Sequence, residues 1–374
     1  MRKKILVLDT IAKWYEEALA FIQRRDWTEA KAVANLGPNV KIAAITPKTA
    51  AEEYGLKVLA KALQDVLDNK MTPVLLQKEA MVRQIIVGII GIDGGFGQMF
   101  NGLLEQIGYQ VIGSDKKNPA RLSNAEVVEQ SDMVIFAVPT DDMLEVIHSA
   151  LPYVQEDQLL MDITSIKVHP VEAMLKSEAQ VVGLHPMFRP DMPFDGQTVV
   201  ACPARLTVPH WITFVASMLT AMQAQIQLRT AAEHDVYMMP IQVTPHSSTL
   251  TNALLIMVAG LSVSKILSFA SPFYRVMLSL MGRLLSQDPD LYVSIIIENP
   301  ETLKMLEQRV KIEKYMIQMI HEKNRAGLKN LFVQAKTHFG PDAITEANEV
   351  FKKILPALIP DERLGKSGAG LDKK

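Results

Sequence analysis

The sequence has almost no cysteine, no excess charge of one sign and no long hydrophobic run. Cys202 is the only cysteine, so neither an internal disulfide nor a cysteine metal cluster can form, and a reducing compartment suits the chain. The net charge of −2 gives no overall attraction to nucleic acid or to anionic membranes. The N-terminal apolar run ends at Asp9, too early for a secretory signal. The most apolar stretch, 254–263, is about half the length that a membrane span needs. We therefore expect a cytoplasmic protein that binds neither nucleic acid nor membranes.

The composition that remains is that of a globular protein with more than one domain. Hydrophobic residues make up 48% of the 374 residues and charged residues 21%, enough for a full core. A chain of this length predicts two or three domains. The pattern predicts a small helical N-terminal region, an α/β domain, a helical domain and a polar tail that frays, at 1–82, 83–229, 230–360 and 361–374. Helices are predicted at 14–22 and 50–67 in the first region, and Thr230 and Glu233 have the spacing of a capping box at the start of the helical domain.

The α/β domain is predicted from short apolar runs that alternate with helical stretches. Residues 84–91 form a glycine-bounded run rich in β-branched residues, which is typical of a strand buried on both faces of a parallel sheet. Further strands are predicted at 110–114, 133–138, 158–162, 181–184, 198–201 and 225–228. Helices are predicted at 98–107, 125–129, 143–151, 168–175 and 208–222. This alternation favours a Rossmann-like, doubly wound sheet.

A glycine-rich turn follows the first buried strand and precedes a helix. Such a turn lets a pyrophosphate approach the backbone at the positive end of the helix dipole. Asp115 lies 20 residues after Gly95, at the end of the second strand, where a carboxylate can bind ribose hydroxyls and repel a 2′-phosphate. NAD is therefore favoured over NADP, although Lys116 and Lys117 leave NADP open. The expected cofactor-binding residues are Gly91, Gly94, Gly95, Phe96, Gly97, Gln98, Asp115, Val138 and Pro139.

One position departs from the usual glycine fingerprint. In the register Gly95-x-Gly97-x-x-Phe100, phenylalanine replaces the third glycine, which normally permits close packing of helix on strand. We therefore expect this helix to lie slightly further from the sheet. An ordinary strand-to-helix turn without a ligand is the alternative.

Ser165 and His185 follow the ends of two neighbouring predicted strands. They are 20 residues apart, one strand–helix–strand unit, so both can project towards one point at the carboxyl edge of the sheet. A histidine there can take a proton from a hydroxyl near neutral pH, and a serine hydroxyl can orient it. A structural His-Pro turn is the alternative.

The helical domain carries two arginines among apolar residues. Arg275 and Arg283 lie about 80° apart around one helix and ~12 Å apart along it, so both can border one cavity. A buried guanidinium needs a partner. A substrate carboxylate and an internal Asp or Glu are equally good candidates, and Gln242 and His246 lie nearby in the sequence.

Taken together, these segments resemble the prephenate dehydrogenase family from about Ile85 to Gly340. The resemblance is carried by several linked motifs in the same order: the glycine turn, 162–167, 183–188, 233–235, Gln242, His246, 270–275, 281–283 and 290–292. It implies oxidation of prephenate by NAD with loss of carbon dioxide, which gives 4-hydroxyphenylpyruvate. The positions that match His185 and Ser165 are then catalytic, and the helical domain forms a dimer core.

The resemblance also implies how the substrate is bound. The arginine that matches Arg283 pairs with a substrate carboxylate, with Arg275 and His246 close by and Gln242 in the same matched segments. Tyr292 lies in the segment associated with inhibition by tyrosine. A dianionic substrate needs fixed cations of this kind.

Several departures from the family pattern keep other functions open. Arg189 stands where the family carries glycine, Pro240 and Pro245 interrupt a helix that is normally continuous, and Ser247 replaces an aromatic residue. They leave open a dehydrogenase for another carboxylate and a non-catalytic NAD-binding regulatory protein.

Residues 1–82 occupy the place of the chorismate mutase domain that bifunctional family members carry. Arg24, Arg25 and Pro47 match that domain loosely, but its acidic residue and most of its cations are absent, and Lys48 begins the stretch where a charged segment belongs. We expect no mutase activity, with a bifunctional enzyme as the alternative.

Overall fold

A computed structural model describes residues 49–67 and 85–354. The helix expected at 14–22, the residues Arg24, Arg25, Pro47 and Lys48, and the tail at 361–374 lie outside the described residues. Contacts divide the described chain into two units. The first unit contains 49–67, 85–241 and 293–302, and the second contains 242–292 and 303–354.

The first unit is built on a seven-stranded sheet, as the alternating pattern predicts. The strands, numbered along the chain, are β1 Ile86–Ile90, β2 Gln110–Ser114, β3 Met133–Phe136, β4 Leu159–Asp162, β5 Gln180–Pro186, β6 Thr198–Arg205 and β7 Gln225–Leu228. Their order is β2-β1-β3-β4-β5-β6-β7. The first five strands are parallel, β6 runs antiparallel to β5, and β7 is parallel to β6. The predicted Rossmann-like fold is confirmed.

Helices cover the sheet because its central strands are apolar on both sides. The helices that connect or flank the strands are α1 Ala50–Leu67, α2 Gly95–Gln106, α3 Asn124–Gln130, α4 Thr140–Ala150, α5 Val168–Met174 and α6 Pro209–Ala221. Every residue of β3 and β4 is buried, and most buried apolar side chains of the unit belong to one of two apolar clusters. Burial of this continuous apolar surface is the main favourable contribution to the fold.

The helix predicted at 50–67 packs into the core of the first unit. Leu59 and Leu63 of α1 are buried in the same apolar cluster as Val199 of β6 and Phe214 of α6. The backbone approaches closely as well, since a Cβ atom at Gly55 would lie 3.0 Å from the Pro203 carbonyl oxygen. This part of the N-terminal region therefore belongs to the core of the α/β unit.

The remaining helices begin after β7. They are α7 Ala231–Met238, α8 Thr244–Val258, α9 Val263–Phe269, α10 Pro272–Leu285, α11 Pro289–Ile297, α12 Thr302–His321 and α13 Arg325–Ile354. The predicted capping box is confirmed: the Thr230 side chain accepts from Glu233 N, and the Glu233 carboxylate accepts from Thr230 N. The first unit includes α7, which lies beyond the boundary expected after residue 229.

The proline-containing segment between α7 and α8 has its own geometry. Met239–Val243 forms a π-helix that includes Pro240, and Pro245 lies in the first turn of α8. Proline lacks the N–H that an α-helical turn would use, which accounts for the irregularity.

Within the described chain no single helix is long and apolar enough to cross a bilayer, although one bent pair, 231–258 with 263–269, meets the requirement by length and composition.

Candidate active site

The glycine turn after β1 is tight and close to β2. Gly91 has a φ of +91°, a conformation that favours glycine, and its N–H donates to the Ser114 carbonyl at 2.8 Å. Gly94 is the N-cap of α2. A Cβ atom at Gly97 would lie 2.1 Å from the Gly91 carbonyl oxygen. Gly97 therefore permits the close packing of the helix on the turn.

The expectation that Phe100 holds α2 away from the sheet is wrong. The glycine that permits close packing of the helix is Gly97. It lies three residues before Phe100, the position that the register Gly95-x-Gly97-x-x-Phe100 predicts for that glycine. Phe100 is fully buried and its ring packs edge-on against Phe194 at a centroid distance of 5.5 Å. It serves as a core residue of α2 and leaves the turn undisturbed.

A cavity of about 1000 Å³ opens at the carboxyl ends of β1 and β2. The predicted cofactor residues that line it are Gly91, Gly94, Asp115, Val138 and Pro139. The other predicted cofactor residues make protein contacts. A Cβ atom at Gly95 would lie 2.7 Å from Pro190 Cγ, Phe96 packs edge-on against Phe188, and Gln98 Nε2 donates to the Asp93 carbonyl at 2.8 Å.

The cavity fits a dinucleotide by its backbone as well as its size. Gly91 and Gly94 line the cavity without a Cβ atom, and the first N–H groups of α2 follow directly after Gly94. Asp115 lies on the wall at the end of β2, where a ribose hydroxyl would need an acceptor. The same wall carries Asp93, Asn118 and Arg121, which sequence reasoning missed. The one signal in the sequence was that the acidic residue Asp93 lies inside a glycine turn.

His185 lies near the end of β5 and is joined to two further side chains. Its Nδ1 lies 2.8 Å from His234 Nε2, and His234 Nδ1 lies 2.7 Å from Asp235 Oδ1. Asp235 accepts from the backbone N–H groups of Lys167, at 2.8 Å, and Val168, at 2.9 Å. All three side chains of the row are buried. We call His185, His234 and Asp235 the imidazole relay.

The hydrogen bonds of the imidazole relay determine which nitrogen of each ring carries a proton. Asp235 is an acceptor for two N–H groups, so the proton on His234 lies on Nδ1 and points to the carboxylate. His234 Nε2 is then an acceptor, and the proton on His185 lies on Nδ1. Nε2 of His185 consequently carries a lone pair. Burial, with the nearby His234 and Lys167, holds the pKa of His185 well below its usual 6.5, so the ring is neutral near pH 7.

An ion pair fixes the backbone around His185. Lys167 and Asp162, both without exposed side-chain surface, are joined, and Lys167 Nζ also donates to the Leu184 carbonyl at 2.7 Å. Asp162 Oδ2 accepts from Thr164 Oγ1 at 2.6 Å. The pair ties the end of β4 and the start of α5 to the residue before His185. Buried charges are tolerated only with such partners.

Ser165 and His185 lie on neighbouring strand ends, as predicted. β4 and β5 are adjacent and parallel, and Ser165 lies half-buried in the bend between β4 and α5. At Nδ1 of His185 the structure places His234, a residue that sequence reasoning noted in a motif without giving it a role. The role of Ser165 in orienting His185 stays a prediction.

The predicted substrate-binding residues of the second unit have their own geometry. Arg275 and Arg283 share α10; Arg275 Nη2 donates to the Leu267 carbonyl at 3.1 Å, and Arg283 is exposed. His246 is half-buried, with its pKa lowered by burial, and packs edge-on against Tyr292 at 4.7 Å. Gln242 is half-buried in the π-helix. No carboxylate partner joins either arginine among the hydrogen bonds and ion pairs of the described residues.

A glycine turn, a dinucleotide-sized cavity and a buried imidazole relay on a Rossmann-like sheet define a nucleotide-dependent dehydrogenase. The family descriptions "Prephenate dehydrogenase, nucleotide-binding domain" and "Prephenate dehydrogenase, dimerization domain" match residues 114–228 and 230–334. The chain belongs to the prephenate dehydrogenase family. The glycine turn at 91–97 lies outside the matched residues.

Individual relatives agree with this assignment. The T-protein of Haemophilus influenzae is 32% identical over 254 residues, 67% of this chain and 66% of that protein. The T-protein of Enterobacter agglomerans is 30% identical over 259 residues, 69% and 68% of the two chains. The chain thus spans about two thirds of each relative. Prephenate dehydrogenase from Aquifex aeolicus, solved with hydroxyphenyl propionate and NAD+, has the same fold, with a TM-score of 0.52 at 18% identity over 73% of this chain and 98% of that one.

Proposed function

We propose that the chain catalyses the NAD-dependent oxidative decarboxylation of prephenate to 4-hydroxyphenylpyruvate. The observation that carries the proposal is the imidazole relay in a member of this family. The segment after His185 reaches the glycine turn, since Phe188 packs on Phe96 and Pro190 on Gly95. This contact within the first unit supports a single site that contains both the nucleotide turn and the proposed base.

The relay suits proton acceptance from a ring hydroxyl. His185 is neutral with its lone pair on Nε2, the atom that would accept a hydrogen bond from the C4 hydroxyl of prephenate. When C4 gives up hydride, the hydroxyl proton becomes acidic and moves towards Nε2. His234 and the carboxylate of Asp235 then stabilise the positive imidazole. The C1–carboxylate bond breaks, its electron pair completes the aromatic ring as a phenolate, and carbon dioxide leaves. The proton held by His185 then returns to the phenolate oxygen, which gives the 4-hydroxyphenyl product.

NAD is the proposed cofactor. The glycine turn would hold its pyrophosphate and Asp115 its adenosine ribose, and a relative from Aquifex aeolicus was solved with NAD+. The bound nicotinamide supplies the hydride acceptor. The residues of the chain orient the substrate and accept the proton, which is where positioning contributes most to the rate.

Arg283 and Arg275 are the proposed partners of the substrate carboxylates, with His246, Gln242 and Tyr292 as further substrate-binding residues. Arg283 is exposed on α10, so its guanidinium can pair with an anion from solution. Arginine presents a planar fork that matches a carboxylate with two hydrogen bonds. Prephenate carries two carboxylates and so needs more than one cation.

The second unit is the proposed core of a homodimer. Its helices α8 to α10 expose large apolar side chains, including Val258 at 78%, Phe269 at 82% and Phe273 at 61%. Exposed apolar surface of this extent is typical of an interface, and the matched description is that of a dimerization domain. Sedimentation equilibrium should give twice the mass of one chain, and Phe269→Glu should lower the measured mass towards that of a single chain.

The cytoplasmic location expected from the sequence stays a proposal.

The test of the activity is NADH formation, followed at 340 nm, after prephenate is added to the protein with NAD. Parallel reactions with arogenate and with other ring carboxylates separate this function from a dehydrogenase of different specificity. Nucleotide binding in calorimetry without turnover of any of these substrates would favour the regulatory alternative instead. Chorismate consumption by the full chain tests the mutase alternative.

A further inference from the structure

The wall of the nucleotide cavity after β2 is rich in charged residues that are mostly paired with one another. Lys116 is joined to Asp142, and Arg121 is joined to Asp93. All four side chains line the cavity, together with Asp115. The loop that carries these cations is where a Rossmann domain meets the adenosine ribose and, in NADP, its 2′-phosphate. The pairing of each cation therefore bears on which nucleotide the domain accepts.

Asp93 holds the guanidinium of Arg121 through both carboxylate oxygens. Arg121 Nη2 lies 2.6 Å from Asp93 Oδ1, and Arg121 Nε lies 3.4 Å from Asp93 Oδ2. Asn118 Nδ2 adds a third donor to Oδ2 at 2.9 Å. Arg121 and Asn118 together hold the pKa of the Asp93 carboxyl below its usual value, so the carboxylate is charged near pH 7.

Asp93 also contacts the residue expected to bind the ribose. Its backbone N–H donates to Asp115 Oδ2 at 3.3 Å, and Lys117 N donates to Asp115 Oδ1 at 2.9 Å. Asp93 thus contacts both Asp115, the expected ribose acceptor, and Arg121, the arginine of the loop. An arginine is the usual partner of a 2′-phosphate in NADP-dependent domains.

We propose that Asp93 is the residue that determines selectivity against a 2′-phosphorylated nucleotide. It acts by occupying the guanidinium of Arg121 through both of its carboxylate oxygens. Without Asp93, Arg121 is available to pair with a 2′-phosphate in a bidentate manner. This inference rests on the proposed use of the cavity for NAD, and it adds the reason why the nearby cations do not select NADP.

The pair contributes little to stability, so its removal leaves the fold intact. The side chains of Arg121 and Asp93 are 40% and 31% exposed, and ion pairs with this much contact with water are worth little. The φ of Asp93 is not positive, so alanine is tolerated there. The variant Asp93→Ala can therefore be measured as a folded protein.

The experiment measures the dissociation constants of 5′-AMP and 2′,5′-ADP by calorimetry on the full chain. The variants are Asp93→Ala, Arg121→Gln and the double variant. Glu349→Ala, which removes one negative charge from an exposed pair with Lys352, controls for net charge. The two probes differ only in the 2′-phosphate, so their ratio reports selectivity directly.

In Asp93→Ala, 2′,5′-ADP should bind about tenfold more tightly, while 5′-AMP changes by less than about twofold. The double variant should lose this gain, and Glu349→Ala should show none. An unchanged ratio in Asp93→Ala, or a gain that persists without Arg121, would overturn the inference while leaving the NAD proposal intact. Failure of wild-type protein to bind 5′-AMP or NAD at all would overturn both.

Discussion

His234 Nε2 lies 2.8 Å from Nδ1 of His185, and this contact gives the buried histidine of β5 a defined proton arrangement. Asp235 determines the direction of the hydrogen bonds, because its carboxylate can only accept. The proposed base therefore does not act alone. Its lone pair on Nε2 follows from the carboxylate of Asp235, and the same carboxylate would stabilise the ring once it is protonated.

Asp235→Asn should lower kcat and shift its pH dependence. The amide cannot accept from the Lys167 and Val168 N–H groups with both of its atoms, and its neutral charge no longer stabilises a protonated relay. We expect kcat to fall about 100-fold with the KM for NAD little changed, and the acid limb of the kcat profile to move to lower pH. A purely structural role for Asp235 predicts an acid limb that stays in place.

Gly97→Ala should destabilise the first unit and weaken nucleotide binding. A Cβ atom there meets the Gly91 carbonyl at 2.1 Å, so α2 must move away from the turn. The expected loss is about 3 kcal/mol of unfolding free energy. Gly102→Ala is the matched control, because it lies in the same helix with nothing within 4 Å of its Cβ position. That control should be neutral or stabilising by about 0.5–1 kcal/mol, and equal losses in both variants would contradict the packing argument.

Lys167→Met should be among the most destabilising single changes in the sheet. It leaves the carboxylate of Asp162 buried without its cation, at a cost of about 3–5 kcal/mol. The double variant Asp162→Asn, Lys167→Met removes both charges while Asn can still accept from Thr164, so it should recover most of that loss. Urea unfolding measures both. A double variant as unstable as the single one would mean that the charges are not the cause.

Stability should fall between pH 7 and pH 5.5. The pKa values of His185, His234 and His246 are all lowered in the folded protein, chiefly by burial, from a usual value of 6.5. Below pH 6.5 the unfolded chain therefore binds protons that the native protein does not, and the unfolding free energy is lost as pH falls through that value. The slope approaches about 1.4 kcal/mol per pH unit for each such histidine. His185→Asn should have a shallower slope in the urea midpoint over this range, and an unchanged slope would place the proton uptake elsewhere.

Much of the fold could be predicted because the central strands are buried on both faces, and a continuous apolar run has few other interpretations. The edge strands β2, at 110–114, and β7, at 225–228, are only partly buried, and their predicted bounds also agree with the structure. The helix at 50–67 was predicted with equal accuracy, but its place in the core was not. Helical periodicity shows that a helix has an apolar face and does not show what covers that face.

A residue of the candidate site could be predicted from the sequence only where its own position along the chain was enough to indicate it. His185 was found because it follows a strand end. His234 is 49 residues further along the chain, and only the folded sheet brings the two rings together. The role of Gly97 was missed because the assumed register places the packing glycine three residues later, at residue 100. The proposed role of Asp93 was missed because a side chain in a phosphate turn has no fixed partner in sequence.

The most direct test of the account is the rate of prephenate-dependent NADH formation by His185→Asn, measured beside its affinity for ADP-ribose. Asparagine keeps a polar side chain at this position but cannot accept a proton. We predict that kcat falls by about 10³, with ADP-ribose bound as tightly as by the wild-type protein. A variant that turns over prephenate at the wild-type rate would show that the proton goes to another group and that the relay is structural.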